Sequence, residues 1–162
     1  YDQAIALDPQ YVAAYNGRGI AYAKKRDTGQ AIADFDQAIA LDPGDPSAYM
    51  YRGTAYADRG DLERAIADFD QAVTVDAKFA GAYFNRGLVY AQTGDLDRAI
   101  ADLDQVIALD PEHAEAYTLR GTFYARIGGR EQAIADLERA LELGLGPAAT
   151  QRAEALLQEL RQ

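Results

Sequence analysis

The 162-residue chain has no cysteine and no tryptophan, and it has a single histidine and a single methionine. Without cysteine there is no thiol catalysis and no disulfide, and the redox compartment stays open. His113 lies in a loop ahead of a predicted helix, a place where an imidazole serves more readily as a cap than as a base or metal ligand. Positive charge is also scarce, with 16 Lys and Arg against 26 Asp and Glu and a net charge of −10. That balance opposes nucleic acid, whose phosphates are held by clustered cations. The one basic run, Lys24-Lys25-Arg26, sits at a predicted turn, where cations stabilise the end of a helix. No stretch is apolar and uncharged for long enough to span a bilayer. No signal segment is visible at the start, and the chain begins without a Met; the location stays open, with a cytoplasmic one expected.

The acidic residues do not assemble into a reaction centre either. Asp34 and Asp36, like Asp102 and Asp104, are two apart on a helical stretch and point in different directions, so neither pair works as general acid and base. Asp95 and Asp97 lack the further oxygens and the glycine of a calcium loop. No nucleophile can be matched with a base. The sequence therefore reads as that of a non-enzyme with no cofactor and no metal.

What is present is a period. Gly19, Gly53, Gly87 and Gly121 stand 34 residues apart, each behind an arginine (Arg18, Arg52, Arg86, Arg120). Each is followed at fixed offsets by a tyrosine (Tyr22, Tyr56, Tyr90, Tyr124) and an alanine (Ala31, Ala65, Ala99, Ala133). A fixed period of this length denotes one unit repeated, each burying its apolar face on the next. Phased on the glycines, full units cover 12–45, 46–79, 80–113 and 114–147. Residues 1–11 match the second half of a unit, and 148–162 form a C-terminal helix. Within a unit the apolar residues recur at steps of three and four, as in Ala65, Ile66, Phe69, Ala72 and Val73, which is a helical pattern. Gly60-Asp61 and Gly94-Asp95 mark turns inside units. Asp42-Pro43 and Asp110-Pro111 mark turns between them, where proline bars continuation of the helix. Helices are expected near 12–25, 28–41, 46–59, 62–75, 80–93, 96–109, 114–127, 130–143 and 147–160.

Tyr15, Gly19, Tyr22, Ala31, Phe35, Ala38 and Pro43 together resemble the tetratricopeptide repeat pattern, and the likeness recurs over residues 12–147. Departures are Ala77 and Leu145 in place of the proline, Val106 in place of the second alanine, and Arg26 where the first turn usually has glycine. The resemblance implies an all-α fold, a right-handed α-solenoid of antiparallel helix pairs, with first helices lining a concave groove. It also implies that the final helix is a cap, with Gln151, Arg152, Glu154, Gln158, Glu159 and Arg161 on a solvated face.

Each repeated arginine has an aspartate sixteen residues later: Asp34, Asp68, Asp102 or Asp136. The two lie on the two helices of one hairpin and are expected to form charge-assisted pairs. The alternative is an arginine ladder for an anionic peptide. Eight of the eleven tyrosines occupy two repeated positions, which interhelix packing explains better than base stacking does.

The family geometry turns a variable set of residues inward: Asn16 and Ile20, then Met50, Tyr51 and Thr54, then Phe84, Asn85 and Leu88, then Thr118 and Thr122. Met50, Phe84 and Leu88 make an apolar centre, the mark of a binding site. Some relatives hold an acidic chaperone peptide with a clamp of Lys, Asn, Asn, Lys and Arg. The matching places here are Met50, Thr54, Asn85, Glu115 and Leu119, so no such clamp is expected. The reading is a non-catalytic scaffold binding a protein or peptide of apolar or mixed character in its groove. Two rivals stay open: a self-assembling structural scaffold, with a homo-oligomer formed through the open N-terminal end, and a regulatory module of a larger enzyme.

Overall fold

The computed structural model describes residues 1–162 and contains ten α-helices and no strand. In order they are α1 (Asp2–Leu7), α2 (Val12–Lys24), α3 (Thr28–Leu41), α4 (Pro46–Asp58), α5 (Leu62–Val75), α6 (Ala80–Thr93), α7 (Leu96–Leu109), α8 (Ala114–Arg126), α9 (Arg130–Leu143) and α10 (Pro147–Leu160). Each of α2 to α10 falls within one residue of its expected bounds. None is long and apolar enough to cross a membrane. The chain divides into two compact units, Tyr1–Val89 and Tyr90–Gln162.

The helix ends follow from aspartates placed once per turn. Asp27, Asp61 and Asp95 cap α3, α5 and α7, their side chains accepting from the backbone N–H groups of Gln30, Arg64 and Arg98. Each satisfies an amide that the first helical turn leaves without a partner. Asp45 caps α4, with Pro46 as the first helical residue. His113 caps α8, its Nδ1 accepting from Ala116 N–H at 3.2 Å. At the other ends, Asp8, Asp42, Asp76 and Asp110 each accept from the N–H two residues on, at 2.9 to 3.1 Å. This side-chain turn explains why Ala77 can replace proline without altering the bend, since the Asp76 carboxylate still fixes it. After α9, where Leu145 replaces the proline, Gly144 takes over with φ 92°.

In the first unit, Phe35 and Phe69 are almost fully buried. Their rings close the space above Gly19 and Gly53: a Cβ on Gly53 would lie 2.9 Å from the Phe69 ring and 3.1 Å from the Ala65 carbonyl oxygen. The repeated glycine is thus set by the close crossing of α4 on α5. The second unit repeats this at Gly121, where a Cβ would meet Leu137 and the Ala133 carbonyl oxygen at 3.1 Å. Its core continues into α10 through Leu137, Ala153 and Leu157.

One turn departs from its equivalents. Gly60, Gly94 and Gly128 have φ near 80–87°, whereas Arg26 occupies the same turn at φ 62°. A Cβ in the left-handed region costs roughly 1–2 kcal/mol, and glycine's greater freedom in the unfolded chain returns about 0.5–1 kcal/mol of that. Arg26→Gly is expected to raise stability by about 0.5–1 kcal/mol, read as a higher urea midpoint with an unchanged slope.

Candidate functional site

The repeated arginines Arg18, Arg52 and Arg120 are tied on both sides. Arg18 donates from Nε and Nη2 to the two Asp34 carboxylate oxygens at 2.8 and 2.7 Å, and from Nη1 to Asp2 at 2.7 Å. Arg52 engages Asp68 in the same fork and reaches Asp36 at 2.6 Å. Arg120 forks onto Asp136 and reaches Asp104 at 2.5 Å, and Arg86 reaches Asp70 at 2.5 Å. Asp34, Asp68 and Asp136 are buried. The forked hydrogen bonds to these buried carboxylates, helped by the second aspartate, hold Arg18, Arg52 and Arg120 well above the usual arginine range. In return Arg18 holds the exposed Asp2 carboxyl below the usual carboxylate range. Each guanidinium also lies 5.4–5.9 Å from the ring centroid of the tyrosine three residues before it. With their donors met from both sides, Arg18, Arg52 and Arg120 staple neighbouring second helices, which weighs against an anionic-peptide ladder. The aspartate sixteen residues before each arginine went unread in the sequence. It explains why Asp34 and Asp36 point apart, since one serves its own hairpin and the other serves the next.

The first unit brings three inward sets together. Met50 on α4 reaches α6, its Sδ only 3.1 Å from where a Cβ on Gly81 would stand. The Asn85 amide donates to Thr54 Oγ1 at 3.4 Å. Asn16 Nδ2 donates to Asp45 Oδ2 at 2.8 Å, tying α2 to the start of α4. Two of the predicted residues act largely in packing. Ile20 lies against the core of Ala31, Ile32, Phe35 and Ala55, and Tyr51 stacks on Phe35 with centroids 5.7 Å apart. Met50 also packs on the core of Ala65, Phe69 and Val89. Phe84 and Asn85 are half-buried, and Leu88 is 39% exposed.

In the second unit, Thr118 and Thr122 turn their hydroxyls back onto the carbonyls of Ala114 and Thr118. Together with Glu115 and Leu119 they form one wall of a cavity of about 510 Å³, and α10 supplies the opposite wall through Ala149, Arg152, Ala153 and Leu156. Sequence reasoning assigned Arg152 to a solvated cap. Carrying the 34-residue step once more, from 115, 118, 119 and 122 to 149, 152, 153 and 156, places those α10 residues in a fifth inward set. No group of His, Cys, Asp and Glu with the geometry of a metal site occurs.

Family models described as "Tetratricopeptide repeat" match residues 12–45, 35–67, 80–113 and 114–143, and one described as "TPR repeat" matches 53–94. The chain belongs to the tetratricopeptide repeat family. No curated protein matches the sequence. Among solved structures it is similar to MamA, with 28% identity, a TM-score of 0.80, and coverage of 88% of this chain and 84% of that one. It is also similar to YrrB, described as a TPR protein with an unusual peptide-binding site, at 27% identity and a TM-score of 0.76, covering 96% of this chain and 80% of that one. A thermophilic TPR protein from Thermus thermophilus matches at 25% identity and a TM-score of 0.78, covering 97% and 87% of the two chains. The fold class is thus the all-α solenoid of tetratricopeptide type, and the protein is a protein-interaction scaffold.

Proposed function

We propose that the first-helix face of residues 12–89 binds a polypeptide segment of apolar or mixed character without catalysis. The observation that carries the reading is an incompletely covered apolar centre, in which Leu88 is exposed and Phe84 and Met50 are half-buried. Two polar pairs accompany it, Asn16 with Asp45 and Thr54 with Asn85. An apolar anchor with a wettable rim is the layout of a binding hot spot. The peptide-binding site named for the similar YrrB supports a polypeptide ligand.

Phe84→Ala is expected to leave the fold in place and weaken partner binding by about 2 kcal/mol, the hot-spot scale. Calorimetric titration alongside a circular-dichroism melt checks it. Unchanged affinity per folded molecule would return Phe84 to the core.

A second reading, association of copies, is favoured by the apolar surface around α1, where Tyr1, Leu7 and Tyr11 are 64%, 88% and 50% exposed. Under it, sedimentation of this 162-residue chain at high concentration gives a species heavier than the 17.6 kDa monomer, and Leu7→Glu returns it to monomer. A strict monomer across the concentration range contradicts it.

A further inference from the structure

The cavity between α8 and α10 exists because of two substitutions within the repeat. In the first unit the equivalent space is occupied by Met50, which extends from α4 to Gly81 on α6. The residue at the Met50 place on α8 is Thr118, short and bonded back to the Ala114 carbonyl at 2.9 Å, so it cannot reach across. The facing residue on α10 is Ala149, with Ala153 one turn further, and both are small. The result is a void of about 510 Å³ whose apolar lining includes Leu119, Leu137 and Leu156. Sites of this kind fall within the usual ~300–1,000 Å³ of ligand pockets.

The rim is not apolar. Glu115 projects from α8 and Arg152 from α10, both exposed and both lining the cavity. Arg152 uses Nε on the Ala148 carbonyl at 3.2 Å, which leaves its two Nη groups without a partner within the chain. An acid on one wall and a base on the other give the opening a direction.

We propose that this cavity is a second anchor site for a polypeptide partner, taking one bulky apolar side chain flanked by an acidic and a basic residue. The acidic neighbour meets Arg152, the basic neighbour meets Glu115, and the pair fixes the direction in which the partner chain runs. A uniformly acidic segment is disfavoured by Glu115 and by the net charge of −10, and a uniformly basic one by Arg152. The proposal rests on the reading of the protein as a polypeptide binder, but it involves none of the residues of the first-unit face.

The test uses three capped pentapeptides, acetyl-Glu-Gly-Phe-Gly-Lys-amide, acetyl-Glu-Gly-Phe-Gly-Glu-amide and acetyl-Lys-Gly-Phe-Gly-Lys-amide, titrated into the 15N-labelled chain. The mixed-charge peptide is expected to bind at least fivefold tighter than either uniform one, with amide shifts centred on Thr118, Thr122, Ala149 and Ala153. Arg152→Glu should move the preference to the Lys-flanked peptide, and Glu115→Arg to the Glu-flanked one. Thr118→Met, which fills the void as Met50 fills its own, should abolish the shifts while the melting temperature holds or rises. Phe84→Ala should leave them unchanged, so loss of the first-unit site and loss of this one are told apart. Equal binding of the mixed-charge and uniform peptides, shifts centred elsewhere, or full binding by a folded Thr118→Met variant would overturn the proposal. Should Thr118→Met fail to fold, Ala149→Met closes the same void from α10 and is read in the same way.

Discussion

Asp68→Ala is expected to destabilise the protein by about 3 kcal/mol, the scale for removing one partner of a buried pair. The Asp68 carboxylate is nearly inaccessible, with 7% of its side chain exposed, and it receives both arms of the Arg52 fork. Removing it leaves a guanidinium that is only 20% exposed, with two donors that water reaches poorly. The other aspartate on the same arginine makes the control. Asp36 is 52% exposed, and Asp36→Ala should cost less than about 1 kcal/mol, as surface ion pairs do. Urea titration of both variants separates buried from exposed arms of one node. Equal midpoints for the two would mean that the fork contributes no more than a surface contact.

Phe69→Ala is expected to cost about 4 kcal/mol, within the range for emptying a buried aromatic site. The ring is 1% exposed and packs with Ala65 and Val89 while sealing the crossing above Gly53. Gly53→Ala by itself should cost about 1–2 kcal/mol, because its Cβ would press on that ring. Combined with Phe69→Ala, the same added methyl meets empty space in place of the ring, and only the contact with the Ala65 carbonyl oxygen at 3.1 Å persists. The double variant should therefore be less destabilised than the sum of the singles, by about 1 kcal/mol. Strict additivity would show that Gly53 is required by the backbone contact and not by Phe69.

The residues most legible in the sequence are those whose role is local. Asp61 and Asp95 before apolar runs, and Asp42-Pro43 after one, act on their own backbone, and the helices end where those residues stand. The pairing of Arg52 with Asp68 was also readable, since both belong to one hairpin and recur at a fixed offset. Its second arm, onto Asp36, was equally periodic but joins successive hairpins; an offset counted only forward passes over it. Tyr51 and Ile20 show a different boundary. Periodicity places them on the inward side of their helices, but how far a side chain leans into the neighbouring hairpin depends on the volume left there, and Phe35 leaves room for the Tyr51 ring to stack. The inward set on α10 was missed because Gln151, Glu154, Ala155 and Gln158 stand where the units have tyrosine, arginine, glycine and tyrosine. Once those markers are gone, only the count of 34 still identifies Ala149, Arg152, Ala153 and Leu156 as counterparts of the residues on α8.

The claim that the first-helix face of residues 12–89 receives the partner is tested most directly by site-specific photo-crosslinking. A benzophenone amino acid placed at Phe84 or Leu88 is compared with one at Gln71, which is exposed on the second helix α5. The account predicts strong crosslinks to a bound polypeptide from 84 and 88, and background from 71. Crosslinking from 71 as strong as from 84 and 88 would contradict it.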